Sequence, residues 1–328
     1  MSSTDINFPT NDLDEDDQSA LKEYQDDVKY IAQRIVNRNC ILFLGSAIHA
    51  PAPPGSRYDY PEEKCPPIGA QLSERLADAC KYPDKDRWNL QRVAWYYEHA
   101  MVFRSRLVDE VKAAVYTGRE PSPVLRGLSR LGFPLVITTN YDQLYEDSLN
   151  RTAQEAALAD GASEEDAKKV EAVFDRSIYS PRSTIKTKDC AEHPTSDRPY
   201  LLKIHGDIKD RDSIVITDED YIQFVLRMGD EHPYRPIGKN LLTHLVTWPT
   251  LFIGYRLTDY NLRLLFKTLR WKLDAADIPP TFSVDLQPDV LIRDVWQLQR
   301  RYIRFIKKNL WNFVPDLYKA VTGEEMPL

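Results

Sequence analysis

What the sequence lacks narrows its class before any motif is read. No stretch of the 328 residues holds the roughly 18 consecutive apolar side chains that a membrane-spanning helix needs. The N-terminus has no basic-then-apolar order of a secretory signal. These two absences lead to the expectation of a cytoplasmic protein. Cysteine is scarce: Cys40, Cys65, Cys80 and Cys190 stand far apart with no CxxC pair. That spacing suggests neither a zinc ribbon nor a secreted disulfide framework, so four reduced thiols are expected, with Cys40 as core filler beside a strand. An excess of basic residues is also missing. The net charge is −7 and the pI about 5.5, which gives the chain as a whole no electrostatic footprint for nucleic acid; any such contact is expected only through a partner. Glycine motifs are absent too. There is neither a GxGxxG nor a GxxxxGK, which disfavours an ordinary dehydrogenase and a Walker-type nucleotide site.

What is present is a foldable chain of enzyme-like composition, 42% hydrophobic and 11% aromatic. Its length suits one large domain with insertions. Residues 1 to about 20 form an acidic tail in which Asp12, Asp14, Glu15, Asp16 and Asp17 repel one another, and disorder is expected there. From Leu21 onward Tyr24, Val28, Ile31 and Ile35 recur at helical spacing and predict a first helix. "CILFLGSA" follows, an apolar run ending in small residues, as in a parallel strand buried on both faces. Six prolines between Pro51 and Pro67 mark a long loop. Helical patterns then fill a lobe over about 68–131, and an Ala-, Glu- and Lys-rich helical insertion covers about 152–175. Strands are predicted near 135–139, 176–179, 200–204, 213–216, 250–255, 281–285 and 302–306, separated mostly by helices. Strand and helix alternate, which predicts an α/β fold: a doubly wound, Rossmann-like parallel sheet with a helical lobe.

Ligands of such sheets sit outside the carboxyl ends of the strands. Here "LFLGSA", "LVITTNYD", "LLKIHGD" and "LFIGYR" each end an apolar strand in small or polar residues. Gly45, Ser46 and Ala47 suit backbone N–H contacts to a phosphate, or simply a structural turn. Asn140 offers a donor and an acceptor on one rigid amide, fit to hold a ribose hydroxyl or a water, or to turn the chain. Asp142 suits ribose hydroxyls and equally a helix N-cap. His205, directly after "LLKI", is the histidine best set to exchange a proton with bound hydroxyl or water, and His49 near the glycine turn is a second candidate. Gly254 ends its strand, and Arg256 is placed either to reach a pyrophosphate or to make a surface salt bridge.

Taken in order, Gly45-Ser46-Ala47, "TTNYD" at 138–142, "KIHGDI" at 203–208 and "IGYRLTDYNLR" at 253–263 resemble the sirtuin-like family. Within it the likeness is closer to bacterial antiphage-defence NADases than to protein deacetylases. The resemblance spans about residues 36–310 and implies NAD as substrate, with Asn140 and His205 as the catalytic pair. Asp142 and Gly45 would then contact ribose and pyrophosphate. Two positions depart from the family pattern. "GSAIH" lacks a second glycine, and Arg256 stands where the family has serine. No arrangement of the four cysteines makes the zinc module of the deacetylases, which shifts the implied reaction toward hydrolysis of NAD itself without a metal.

The resemblance further implies a homo-oligomer that works beside a HerA-type ATPase, with the trigger sensed by the partner. The segment from Arg293 to Lys308, basic with interleaved Trp296, Tyr302 and Phe305, is either a contact surface for such assembly or a solvated helix face. Two competing functions use the same strand ends: a non-catalytic NAD or ADP-ribose binding module that regulates a partner ATPase, and a zinc-free deacylase. Substitution of His205 separates them.

Overall fold

Four-residue runs in which every side chain is buried make the central strands: β1 (Ile41–Leu44), β2 (Leu135–Thr138), β4 (Tyr200–Lys203), β5 (Thr250–Ile253) and β6 (Thr281–Val284). The edges are β3 (Asp175–Ile178) and β7 (Ile303–Ile306), whose side chains are only partly covered. The computed structural model describes residues 15–183, 187–228, 237–255, 279–291, 293–294 and 303–328. Its strands form one seven-stranded sheet in the order β3-β4-β2-β1-β5-β6-β7. Every pairing is parallel, with Leu44 opposite Thr138 on one side and Ile253 on the other. From β1 the chain passes to β2, then to the edge strand β3 and back to β4 between them, and after β4 it crosses to β5 and winds outward on the other side. The β1/β5 boundary is therefore the switch point at which parallel sheets open a crevice.

Side chains alternate across the sheet and each face has its own core. Leu42 and Leu44 join Val28, Ile31 and Ile35 of helix α1 (Glu15–Val36), Leu125 and Leu128 of α5 (Pro123–Ser129), and Phe313 and Leu317 of α10 (Leu310–Thr322). Ile41 and Phe43 point the other way, onto Phe224 of α8 (Asp218–Met228) and Leu241 and Leu245 of α9 (Lys239–Thr247). Fully burying each such side chain contributes about 1.5–3 kcal/mol. Helices thus cover both faces, and the expected doubly wound sheet is found.

Between β1 and β2 stand α2 (Gly69–Cys80), α3 (Leu90–Ala100), α4 (Arg104–Val115) and α5. Leu76, Val93, Leu107 and Val111 pack together, and the same cluster takes in Tyr141, Ile208, Ile214 and Ile216 from the sheet's carboxyl edge. The helical lobe is therefore braced against the loops that follow β2 and β4. After β2, α6 (Leu144–Ala159) and the short α7 (Glu164–Ala167) lead to β3.

Two expectations are corrected. Helix α1 begins at Glu15, inside the run expected to be a disordered tail. Carboxylates in a first helical turn are favoured by the helix dipole, so the acidic run can start the helix rather than prevent it. Residues 213–216 are not a strand: Arg211–Ser213 is a short 3₁₀ turn, and Ile214, Val215 and Ile216 are buried without a strand partner. Their backbone is satisfied by the loops beside them, Val215 N–H donating to the His205 carbonyl at 2.9 Å and Tyr141 Oη to the Val215 carbonyl at 2.9 Å. The expected helix opening at Thr258 and residues 295–302 of the basic segment from Arg293 lie outside the described residues, as do residues 1–14 of the tail.

Candidate active site

The carboxyl ends of four adjacent strands open into one cavity of about 1070 Å³. That is the upper end of the range of roughly 300–1,000 Å³ usual for small-molecule sites. Ser46 and His49 reach it from the turn after β1, Asn140 and Asp142 from the loop after β2, His205 from β4 and Gly254 from β5. Trp88 of the lobe and Ile222 and Leu226 of α8 line it as well, while keeping much of their surface exposed. Arg256, the remaining sequence candidate, lies outside the described residues.

The turn after β1 is held by backbone fit. Gly254 has φ +78°, which favours glycine, and a Cβ there would lie 2.5 Å from the Gly45 carbonyl oxygen. A Cβ at Gly45 would be driven into the Gly254 carbonyl in turn. Across this seam Gly45 N–H donates to Ile253 O at 2.9 Å and Ala47 N–H to Gly254 O at 3.1 Å. Two of the three N–H groups considered for phosphate are thus bound to β5. Of Gly45, Ser46 and Ala47, only Ser46 lines the cavity. The Ser122 hydroxyl, capping α5 by accepting from Leu125 N–H at 3.1 Å, also donates to Ile48 O at 2.9 Å and so fixes the turn that carries His49.

The loop after β2 is held by polar contacts. Asn140 N–H donates to Thr138 Oγ1 at 3.0 Å, while the side-chain Oδ1 of Asn140 is buried and accepts no hydrogen bond from the described residues. Thr139 is tied to β5 through Tyr255, whose hydroxyl is 2.7 Å from Thr139 Oγ1 and accepts from Thr139 N–H at 3.3 Å. Gln143 rather than Asp142 is the N-cap of α6, although the Asp142 carboxylate still meets the start of that helix. Oδ1 accepts from Leu144 N–H at the start of α6 at 2.9 Å, and Oδ2 faces His49 Nε2 at 3.5 Å. Burial alone would raise the Asp142 pKa, but the His49 imidazole and then Lys203 outweigh it and hold the carboxyl below its ordinary range. His49 itself is 1% exposed, and beyond the Asp142 carboxylate its ring nitrogens have no partner among the described residues.

His205 follows β4 and is 6% exposed. Its ring is gripped edge-on by Tyr221 and Phe224, with centroids 5.2 and 5.3 Å away, and Tyr221 Oη stands 3.5 Å from Nδ1. Gly206, at φ +91°, lets the chain turn directly behind the imidazole, where any Cβ would collide with the Ser213 carbonyl.

Beneath these loops lies a charged cluster to which the sequence reading gave no role. Lys203 is fully buried, with Nζ 3.0 Å from Asp207 Oδ2 and 3.4 Å from Glu146 Oε1. Gln143 Nε2 donates to both Asp207 oxygens at 3.0 Å, and Arg176 adds a guanidinium 3.6 Å from Asp207 and 3.8 Å from Glu146. Burial would lower the Lys203 pKa, yet Glu146, Asp207 and Asp142 together raise it and keep the ammonium charged. Glu146 is raised, burial outweighing the attraction of Lys203. The signal available in the sequence was a lysine inside the apolar run "YLLKI" with an aspartate four residues on. Among the described residues no group of histidine, cysteine and acidic side chains is arranged to hold a metal, and the four cysteines are free thiols. No helix among them is long and apolar enough to cross a membrane.

Comparison with known proteins matches residues 134–309 to the SIR2-like domain. An NAD(+) hydrolase ThsA of Acinetobacter baumannii (strain 532279) is 26% identical over 310 residues, covering 89% of this chain and 55% of that protein. Defense-associated sirtuin 2 of Bacillus subtilis is 28% identical over 156 residues, 47% of this chain and 12% of that protein. An NAD(+) hydrolase ThsA of Enterococcus faecium is 28% identical over 148 residues, 45% of this chain and 25% of that one. The chain thus spans about half the length of the first of these relatives and less of the other two.

Proposed function

The chain belongs to the SIR2-like domain family, and on that premise we propose that it is an NAD hydrolase, releasing nicotinamide and ADP-ribose, that acts in antiphage defence by depleting NAD. The observation that carries the reading is a set of buried polar atoms, on residues that line the cavity, without a hydrogen-bond partner among the described residues. Asn140 Oδ1 and His49 Nδ1 are of this kind, beside His205 at the same strand ends. Buried polar atoms left unpaired cost about 1–3 kcal/mol each, and a polar ligand such as a ribose or carboxamide would satisfy them. The names of the two ThsA relatives support the choice of NAD.

In NAD the bond from C1′ to nicotinamide joins ribose to a pyridinium, so the leaving group departs neutral and takes the bonding pair with it. The barrier is the positive charge that grows at C1′, and dipoles fixed around that carbon lower it. Asn140 orients the ribose and the attacking water. As the water oxygen bonds to C1′, His205 accepts its proton, a contribution of about 10²–10⁴ in rate. Asp142, held ionised, accepts from ribose hydroxyls, and Ser46 and Gly254 border the pyrophosphate. Residues 21–328 act as one NAD-binding domain, its helical lobe over about 68–131 walling the cavity and the segment 152–175 an insertion. Uncontrolled hydrolysis would kill the host cell, so the reading includes cytoplasmic gating by homo-oligomeric assembly with a HerA-type ATPase. That extension is supported by the family resemblance alone.

The test is nicotinamide release by the purified chain, with and without such an ATPase, alongside His205→Ala and Asn140→Ala and a parallel NAD-binding assay. Loss of about 10²–10⁴ in kcat in His205→Ala with binding kept is the expected outcome. Tight NAD binding with no release under any condition would instead make this a binding module.

A further inference from the structure

Resting on that reading, we infer that Lys203 is a positioning residue for the reaction, a buried ammonium that locks the Asn140 loop to the His205 loop. Lys203 stands at the end of β4, two residues before His205, and faces β2 in register with Thr138. Its Nζ donates to the carbonyl of Asp142 and, at 3.4 Å, to that of Tyr141, the two residues that directly follow Asn140. The same nitrogen pairs with Asp207, two residues past His205, at 3.0 Å. One point charge therefore holds the backbone of one loop and a side chain of the other.

Two further ties accompany it, Ile208 N–H donating to Tyr141 O at 2.9 Å and Gln143 Nε2 to the Asp207 carboxylate. Both converge on groups that Lys203 also touches. Burying an ion set of this kind is a weak source of stability, because desolvation cancels much of the attraction. It is a strong constraint on geometry, since each carbonyl and carboxylate must stay within reach of one nitrogen. The two catalytic side chains project from these loops, and a misplacement of about 1 Å costs about 10²-fold in rate.

Lys203→Met tests the inference, with Lys203→Met/Glu146→Gln as the variant that removes the surplus buried carboxylate and leaves Arg176 to balance Asp207. We expect kcat for nicotinamide release to fall ~10²-fold in both variants while NAD affinity stays within ~3-fold, with the double variant regaining thermal stability but not kcat. In hydrogen exchange, the amides of 140–144 should open faster in both while those of β1 stay protected. A folded variant with near-native kcat would overturn the inference, as would recovery of kcat along with stability in the double variant, or loss of NAD affinity in step with kcat. If the unmodified chain releases no nicotinamide under any condition, the hydrolase reading fails by itself. Hydrogen exchange then decides on Lys203 alone, and unchanged exchange at 140–144 sinks its anchoring role.

Discussion

The strand pairs on either side of the cavity hold their carboxyl ends by opposite means. At β1 and β5 the two chains meet glycine to glycine, and the contact between Gly45 and Gly254 is made by backbone atoms alone. At β2 and β4 side chains add to the backbone bond between Ile208 and Tyr141, with Lys203, Asp207, Glu146 and Gln143 forming a buried charged cluster. A backbone seam is rigid and exact in its steric demand, with no cost of desolvating charge. A charged cluster pays that cost but can reach several carbonyls at once and so fix side chains that carry chemistry. The turn with fewer candidate reacting groups is held by fit, and the loops bearing Asn140 and His205 are held by charge.

The sharpest way to break this contrast is Gly254→Ala. The new Cβ must adopt a left-handed φ, at about 1–2 kcal/mol, and it meets the Gly45 carbonyl oxygen at 2.5 Å. Backbone on both sides has little room to yield, because Gly45 and Ala47 N–H groups are bonded across the seam. We expect destabilisation of about 4 kcal/mol, read as a shift in the urea unfolding midpoint. A loss under 1 kcal/mol would mean the seam is slack and the contrast between the two sides false.

A smaller effect sharpens the charged side. Glu146 has its pKa raised by burial, with Lys203 only partly opposing, so the folded chain holds this proton more tightly than the unfolded one. The stability tied to Glu146 is therefore complete below the ordinary carboxylate range and is lost as pH rises through the raised value. Glu146→Gln, which cannot ionise, should match the unmodified chain in acid and be more stable at neutral pH. Asp142 has the opposite sign. Its lowered pKa gives stability present above the ordinary value and lost as pH falls through the lowered one, so Asp142→Asn should cost stability at neutral pH and little in acid. Thermal unfolding of both variants from neutral to acid pH checks the two signs together, and curves that run in parallel would refute them.

How far this was legible in the sequence follows from the same physics. "ILFL" and "TLFI" are recognisable as central strands because parallel strands are apolar on both faces. "SIVI" at 213–216 has the same composition and is not a strand. Burial is what the composition reports, and the bonds that would make a ladder are taken up by His205 and Tyr141 instead. Ser46, Asn140, Asp142, His205 and Gly254 were legible as one group because the carboxyl ends of a parallel sheet converge. Which N–H groups of the glycine turn face the cavity was not, since it depends on the partner strand claiming Gly45 and Ala47. Lys203 was hidden for a related reason: its partners Tyr141, Asp142 and Glu146 are about 60 positions away in the chain, as the separations of 62, 61 and 57 show.

The smallest effect tests whether burial, rather than ion pairing as such, is what distinguishes the cluster under the site. At the sheet edge Asp175 of β3 pairs with Arg198 through two hydrogen bonds of 3.0 Å, and with Lys188 at 3.0 Å. On paper this is a better ion pair than Lys203 with Glu146 at 3.4 Å. Yet Arg198 is 60% exposed, water solvates the guanidinium whether or not Asp175 is near, and the pair also loses side-chain freedom. Arg198→Ala should therefore leave the unfolding midpoint nearly where it is and nicotinamide release unaltered. Raising salt should shrink even a small shift, because exposed charges are screened. If instead this variant cost as much as Lys203→Met, geometry of pairing would outweigh burial in this protein, and the special place given to Lys203 would have to be surrendered.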